Sequence, residues 1–358
     1  MTNKFLIYGA NGYTGELITR FAAERGLEPI LAGRNEAKIS ELAANYGFEY
    51  RAFSLEHDAK VDAALQEVDM VLHCAGPFSI TSLPMVKACL RNKKHYTDIT
   101  GEISVFETCA AMHHKAVEAG IMVMPGVGFD VVPSDCLAVH LKNRLPSATH
   151  LTLAWYGSGR MSHGTQATMT MNVGRGGAIR KDGKITPVPA GWKTREIDFG
   201  EVRTANGSDR VNKQAVTIPW GDVSTAFHST GIPNIEVYTA VPPAALKTLK
   251  MSRYLGWLMA SGFVQKYLQS NIPPGGPSDA EREKGKTLMW GEARDPQGNR
   301  VESRQQGPEG YTLTALAALN ITQKILAGNV KPGYQTPAKA YGADLILEIE
   351  ATARQDVS

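Results

Sequence analysis

Near the start of the chain, the run Gly9-Ala10-Asn11-Gly12-Tyr13-Thr14-Gly15 combines small residues and a spacing that suit a phosphate group. It follows Phe5-Leu6-Ile7-Tyr8, an apolar run that reads as a buried strand. It opens a stretch with Leu17, Ile18, Phe21 and Ala22 at helical spacing. In a strand–loop–helix of this kind Gly9 permits a tight turn, Gly12 lets a pyrophosphate approach the backbone, and Gly15 lets the helix lie close to the sheet. The first turn of the helix then offers unpaired N–H groups and partial positive charge to phosphate oxygens. Gly9, Asn11, Gly12, Tyr13, Thr14 and Gly15 are therefore the expected contacts. The spacing is GxxGxxG rather than GxGxxG, and a glycine-rich turn without a ligand is the competing reading.

Two further segments extend this site. The second apolar strand ends Leu31-Ala32-Gly33-Arg34-Asn35 with no acid at its tip. An acid there would bind a ribose 2′-hydroxyl, whereas an arginine accommodates a 2′-phosphate. Arg34, with Asn35 and Lys38 beside it, favours NADP over NAD. Cys74-Ala75-Gly76-Pro77-Phe78 ends the fourth strand, and small residues at Ala75, Gly76 and Pro77 let a ribose approach the backbone.

Hydride transfer would leave the protein a substrate to place and one proton to handle. Three residues are candidates for the proton: Asp130, after the sixth strand; His163, in Ser162-His163-Gly164-Thr165; and Tyr311, in Pro308-Glu309-Gly310-Tyr311. Each has a structural alternative. Asp130 could cap the helix that Pro133 begins, His163 could be a satisfied structural histidine, and Tyr311 could pack its ring. Asp98, Thr100 and Glu102 follow the fifth strand at the same edge. The chain shows no nucleophile elbow, HExxH, P-loop lysine or paired-carboxylate signature.

The elements that must carry these residues alternate over the first 125 positions. Strands are expected at 5–8, 29–32, 49–53, 70–74, 95–99 and 121–124, with helices from about Asn35 and from Ser82. This alternation predicts a parallel sheet with right-handed crossovers. After Pro125 a helix near Pro133 leads into strand-like runs at 151–155, 215–219 and 235–240. A helical stretch at 244–270, a hairpin at 288–305 and helices at 312–326 and 337–349 follow. The expected fold class is α/β: an N-terminal Rossmann domain, that is, a doubly wound parallel sheet, with a second α+β domain. The expected division is 1–128 for nucleotide binding and 129–335 for substrate and dimerisation, with the helix in 336–358 packing back on the first domain.

Composition narrows the partners. The chain has 358 residues, is 43% hydrophobic, and carries a formal net charge of +3, so nothing points to nucleic acid. The four cysteines form no CxxC pair and read as reduced thiols in a cytoplasmic protein. No signal peptide is read at the N-terminus. The most membrane-like run, Tyr254–Gln265, falls well short of the ~20 residues of a spanning helix. It reads as a buried or interface helix, with peripheral membrane contact as the minority reading.

These segments, with several later ones, resemble the saccharopine dehydrogenase-like oxidoreductases, in their trans-acting enoyl reductase-like branch. The matching segments are YGANGYTG, LAGRN and CAGPF, then HYTDITGE (95–102), PGVGFDVVPSD (125–135) and HGTQATM (163–169), and finally DPQGNRVES, GPEGYTLTA and YQTPAKAYGADLILEI. They run from end to end in family order. The resemblance implies a Rossmann domain with a second domain and NAD(P)-dependent redox chemistry. Within that family, saccharopine dehydrogenases make or break an amine-linked amino-acid conjugate, and the trans-acting branch reduces an enoyl thioester presented by a separate synthase. Family members often show two glycines where this chain has His163-Gly164, which singles out His163. The expected function is NADPH-dependent reduction of an enoyl, imine or carbonyl substrate, on a small-molecule or carrier-bound acyl substrate, by a homodimer. The alternatives are a non-catalytic dinucleotide-binding sensor and a lipid-associated scaffold.

Overall fold

The computed structural model describes residues 4–157, 159–172, 176–204, 207–242, 270–273 and 275–357. The expected helix at 244–270, including Tyr254–Gln265, lies almost wholly outside the described residues. No helix among those described is long and apolar enough to cross a membrane. The chain forms two compact units, one of residues 1–132 and 311–341 and the other of 133–310 and 342–358. The first boundary falls four residues beyond the expected one, and residues 311–335, expected in the second domain, lie in the first unit. The tail expected as one piece is divided after Tyr341.

In the first unit, β1 (Phe5–Tyr8), β2 (Ile30–Gly33), β3 (Tyr50–Ala52), β4 (Met70–His73), β5 (His95–Asp98), β6 (Met122–Met124) and β15 (Gly333–Tyr334) form one sheet in the order β15-β6-β5-β4-β1-β2-β3. Every pairing is parallel. The reversal of strand order beside β1 is where such sheets bind ligands, outside the carboxyl ends of the strands. β1 and β4 are buried at every position, which fits strands covered on both faces. Leu6 and Ile7 are fully buried, and removal of each from water stabilises the unit by about 2 kcal/mol. β15 was not foreseen. A two-residue strand shows no periodicity, and it is held by main-chain pairing to β6.

Helix α1 (Tyr13–Glu24) turns Leu17, Ile18 and Ala22 into the core. Helix α2 (Glu36–Tyr46) begins as expected at Asn35, whose side chain accepts the Lys38 N–H at 3.1 Å. Helix α4 spans Phe78–Asn92 and so starts four residues before the expected Ser82, with Pro84 in its interior. The expected final helix ends at Tyr341, and a separate short helical turn spans Leu345–Glu348.

Among the described residues the second unit is built on a nine-stranded sheet, in which β8 (Gly177–Lys181) and β9 (Lys184–Val188) lie off the central path. Its central path runs β10 (Thr194–Thr204), β11 (Gly207–Thr217), β12 (Asn234–Ala240), β7 (His150–Gly157), β13 (Lys286–Arg294), β14 (Arg300–Pro308) and β16 (Ala353–Asp356). The β13–β14 hairpin forms as read, with Arg294 opposite Arg300. The long β10–β11 hairpin was read only at its end, because its residues 207–214 are mostly polar and exposed. A core of Ile197, Phe199, Ala215, Tyr238, Leu288 and Trp290 fills one cluster of this unit.

Candidate dinucleotide site

The loop after β1 takes the form its glycines suggest. Gly9 has φ +85°, and a Cβ there would lie 2.7 Å from the Ala75 nitrogen. A Cβ at Gly15 would sit 2.3 Å from the Gly9 carbonyl oxygen, so the helix meets the loop too closely for any side chain. Gly12 differs. Its φ of −89° and ψ of 160° are open to any residue, and a Cβ would meet only the Gly9 oxygen at 3.4 Å. The chain itself therefore requires glycine at 9 and 15 but not at 12. Gly12 is exposed and begins α1 with no side-chain cap. A helix start at an exposed glycine with no side chain of its own fits a pyrophosphate.

The other expected cofactor contacts surround this loop at the same sheet edge. Arg34 and Lys38 are exposed, and neither side chain makes an ion pair among the described residues. They place positive charge at the tip of β2, as a 2′-phosphate requires. Asn35 spends its side-chain oxygen on capping α2, which leaves its amide N–H groups for a ligand. Asn11 is half-buried next to Gly33, where a Cβ would come 2.9 Å from its Oδ1. Thr14 and Tyr13 are half-buried in the first turn of α1. Ala75, Gly76 and Pro77 form the loop after β4, with a cis Gly76–Pro77 peptide, and Ala75 packs on Gly9.

Glu102 has a role that sequence reasoning did not give it. Its carboxylate accepts the N–H groups of Phe78 at 2.8 Å and Ser79 at 3.2 Å, and so caps α4 from a different loop. No local signal reveals this, because donor and acceptor lie 24 and 23 residues apart. Asp98, fully buried, accepts from the Tyr96 hydroxyl at 2.7 Å, from the Thr100 N–H at 3.0 Å and from the Gly126 N–H at 2.9 Å. It ties the tips of β5 and β6 together, while burial raises its pKa to about 6 against the pull of those hydrogen bonds.

The three proton-handling candidates stand in different surroundings. The Asp130 carboxyl lies over Gly101, where a Cβ would be 2.5 Å from its Oδ2. It is half-buried, and no hydrogen bond or ion pair reaches it among the described residues. Loss of hydration pushes its pKa up to about 7. The expected capping role is therefore not the one it plays, since its side chain accepts no N–H from the helix Val132–Arg144. Tyr311 meets Tyr13 edge-on, with ring centroids 5.1 Å apart and planes at 87°, so its ring packs on the start of α1. His163 begins the helix His163–Asn172 of the second unit, is exposed, and donates its backbone N–H to the Gly275 carbonyl at 2.8 Å.

A parallel sheet whose glycine loop, helix start and arginine share one edge defines a dinucleotide-binding domain of the Rossmann type. Comparison with known proteins sharpens this: residues 5–124 match the saccharopine dehydrogenase NADP binding domain, and its dinucleotide is NADP. The chain is similar to the saccharopine dehydrogenase-like oxidoreductase of Mus musculus, at 26% identity over 55% of this chain and 46% of that protein. It is similar to the trans-acting enoyl reductase of Mycobacterium leprae (strain TN), at 30% identity over 39% of this chain and 35% of that protein. The matches thus span less than half the length of these relatives. Among solved structures, the apo saccharopine dehydrogenase (L-Glu forming) of Saccharomyces cerevisiae has the same fold. Its TM-score is 0.66 at 14% identity, over 99% of this chain and all of that one.

Proposed function

We propose that this chain is an NADPH-dependent reductase of an enoyl, imine or carbonyl substrate. The observation that carries the dinucleotide part is Gly12, whose missing side chain the fold does not need and a phosphate does. The relative named as an enoyl reductase supports the acyl class, either free or presented on a carrier. When bound, NADPH supplies the hydride, which leaves the protein one proton to deliver to the substrate. Asp130 is the best-suited donor. A carboxyl with no protein partner and a pKa near 7 is about half protonated at neutral pH, and a general acid works best near its own pKa. His163 and Tyr311 remain the other two candidates for substrate contact.

Two measurements test this reading. Titration with NADPH and NADH, followed by nicotinamide fluorescence, is expected to give tighter binding of NADPH. Failure of both to bind would remove the reading. NADPH oxidation is then followed across a panel of enoyl, imine and carbonyl substrates. With Asp130 as the acid, kcat/KM falls about tenfold per pH unit above a pH of about 7. Asp130→Asn loses most of the activity and that pH limb; a variant that keeps both returns the role to His163 or Tyr311.

A further inference from the structure

The loop that packs on Gly9 is held from behind by a pair of side chains with no assigned part in the site. His73, the last residue of β4, is fully buried, and its Nε2 lies 3.0 Å from the Thr81 Oγ1. The Thr81 hydroxyl lies 2.6 Å from the Ala75 carbonyl oxygen and 3.1 Å from that of Pro77. A hydroxyl has one proton to give, and the shorter contact takes it. Thr81 therefore donates to Ala75 and must accept from His73, so the imidazole carries its proton on Nε2. Its Nδ1 is buried without a hydrogen-bond partner among the described residues. The ring stacks on Tyr8, with centroids 5.4 Å apart at 25°, and meets Phe78 edge-on at 5.5 Å. In these surroundings burial pushes the His73 pKa down to about 3, so the ring is neutral at pH 5 and above.

We infer that His73 and Thr81 form a strut that sets Ala75 against Gly9, and that they thereby act as positioning residues for the half of the dinucleotide that passes the β4 tip. The inference rests on the NADPH reading above. Topology makes it specific. β4 and β2 flank β1 on opposite sides, and Arg34 stands at the β2 tip. A dinucleotide laid across β1 places its adenosine half by Arg34 and its other half by the 75–77 loop.

The test compares NADPH with 2′,5′-ADP, which carries the adenosine half alone. Thr81→Val keeps the side-chain shape and loses the hydroxyl. It is expected to weaken NADPH binding about tenfold, the effect of one buried hydrogen bond, and to leave 2′,5′-ADP within about twofold. Thr81→Ser restores NADPH binding. His73→Phe keeps the ring and loses the donor; it is expected to weaken NADPH by a similar factor and to add little to Thr81→Val in the double variant. Equal loss of both ligands, parent-like NADPH binding, or no rescue by serine would overturn the strut. Its failure is separable from failure of the cofactor reading by a ligand-free measurement. In the parent, nitrogen spectra of His73 are expected to show a protonated Nε2 and a bare Nδ1 down to pH 5, with slow exchange of the Nε2 proton that quickens in Thr81→Val. The opposite tautomer sinks the strut whether or not NADPH binds.

Discussion

Two helices start at the same edge of the first sheet, and their starts are treated in opposite ways. α4 begins after Pro77, and the Glu102 carboxylate sits on its first N–H groups. α1 begins after Gly12, which has no side chain with which to cap it. A helix start carries about half a positive charge and several unpaired N–H groups, which an anion satisfies. At α4 the chain supplies that anion itself. At α1 it places glycines around the start, with Glu16 in the helix's first turn and Arg34 nearby without an ion pair among the described residues. On the proposed reading, the difference separates a helix start that the fold uses from one kept for a ligand.

The largest expected effect comes from the tightest contact. Gly15→Ala puts a methyl 2.3 Å from the Gly9 carbonyl oxygen, where only backbone could yield. It is expected to cost about 3 kcal/mol or more in urea unfolding, as overpacking does, and to abolish NADPH binding. Gly12→Ala sharpens the comparison, because its methyl has room in the ligand-free chain. It should unfold as the parent does and bind NADPH at least tenfold more weakly, a loss of about 1.4 kcal/mol. Parent-like NADPH binding by Gly12→Ala would break the idea that the α1 start is kept for phosphate. Arg34→Asp is expected to weaken NADPH by about tenfold or more, through loss of charged hydrogen bonds, and to affect NADH far less. At α4 the expectation reverses. Glu102→Ala uncaps the helix and lowers stability by about 1 to 2 kcal/mol, with its effect on NADPH arising only through the 75–77 loop.

What could be read from the sequence follows the same division. The strands of the first sheet and the Gly9–Gly15 loop announce themselves through runs of adjacent residues, because burial on both faces and a tight turn are local demands. The Asn35 cap is local too, with donor and acceptor three residues apart. The α4 start was misplaced because its cap comes from Glu102, beyond an intervening helix and strand. The His73–Thr81 pair has no local signal, because a histidine at the end of an apolar run looks like a strand terminus until Thr81 is brought back beside it. The return of residues 311–341 to the first unit was hidden for a similar reason: Thr314 receives the Phe129 N–H across 185 positions. The proposed proton donor was legible only as three candidates, since the burial that raises the Asp130 pKa is a property of the folded chain.

The last prediction concerns two carboxyls at that edge. Asp98 and Asp130 are both raised by burial, to about 6 and about 7. Asp98 accepts three hydrogen bonds, and Asp130 accepts none among the described residues. Hydrogen bonds to the charged form offset part of the desolvation, which explains why the partnered group is the less shifted. An unfolded aspartate titrates near about 3.9, so between that pH and the folded value the native chain holds a proton that the unfolded chain has released. The stabilising contribution of each group is therefore complete below about pH 4 and is lost as pH rises through 6 for Asp98 and 7 for Asp130. Asp130→Asn removes one of these contributions without adding charge. Its melting temperature should fall less than the parent's between pH 5 and pH 8, and the variant should be the more stable protein at the alkaline end. Parallel curves for the two proteins would mean that Asp130 is hydrated in solution, and the same result would take away its advantage as the proton donor.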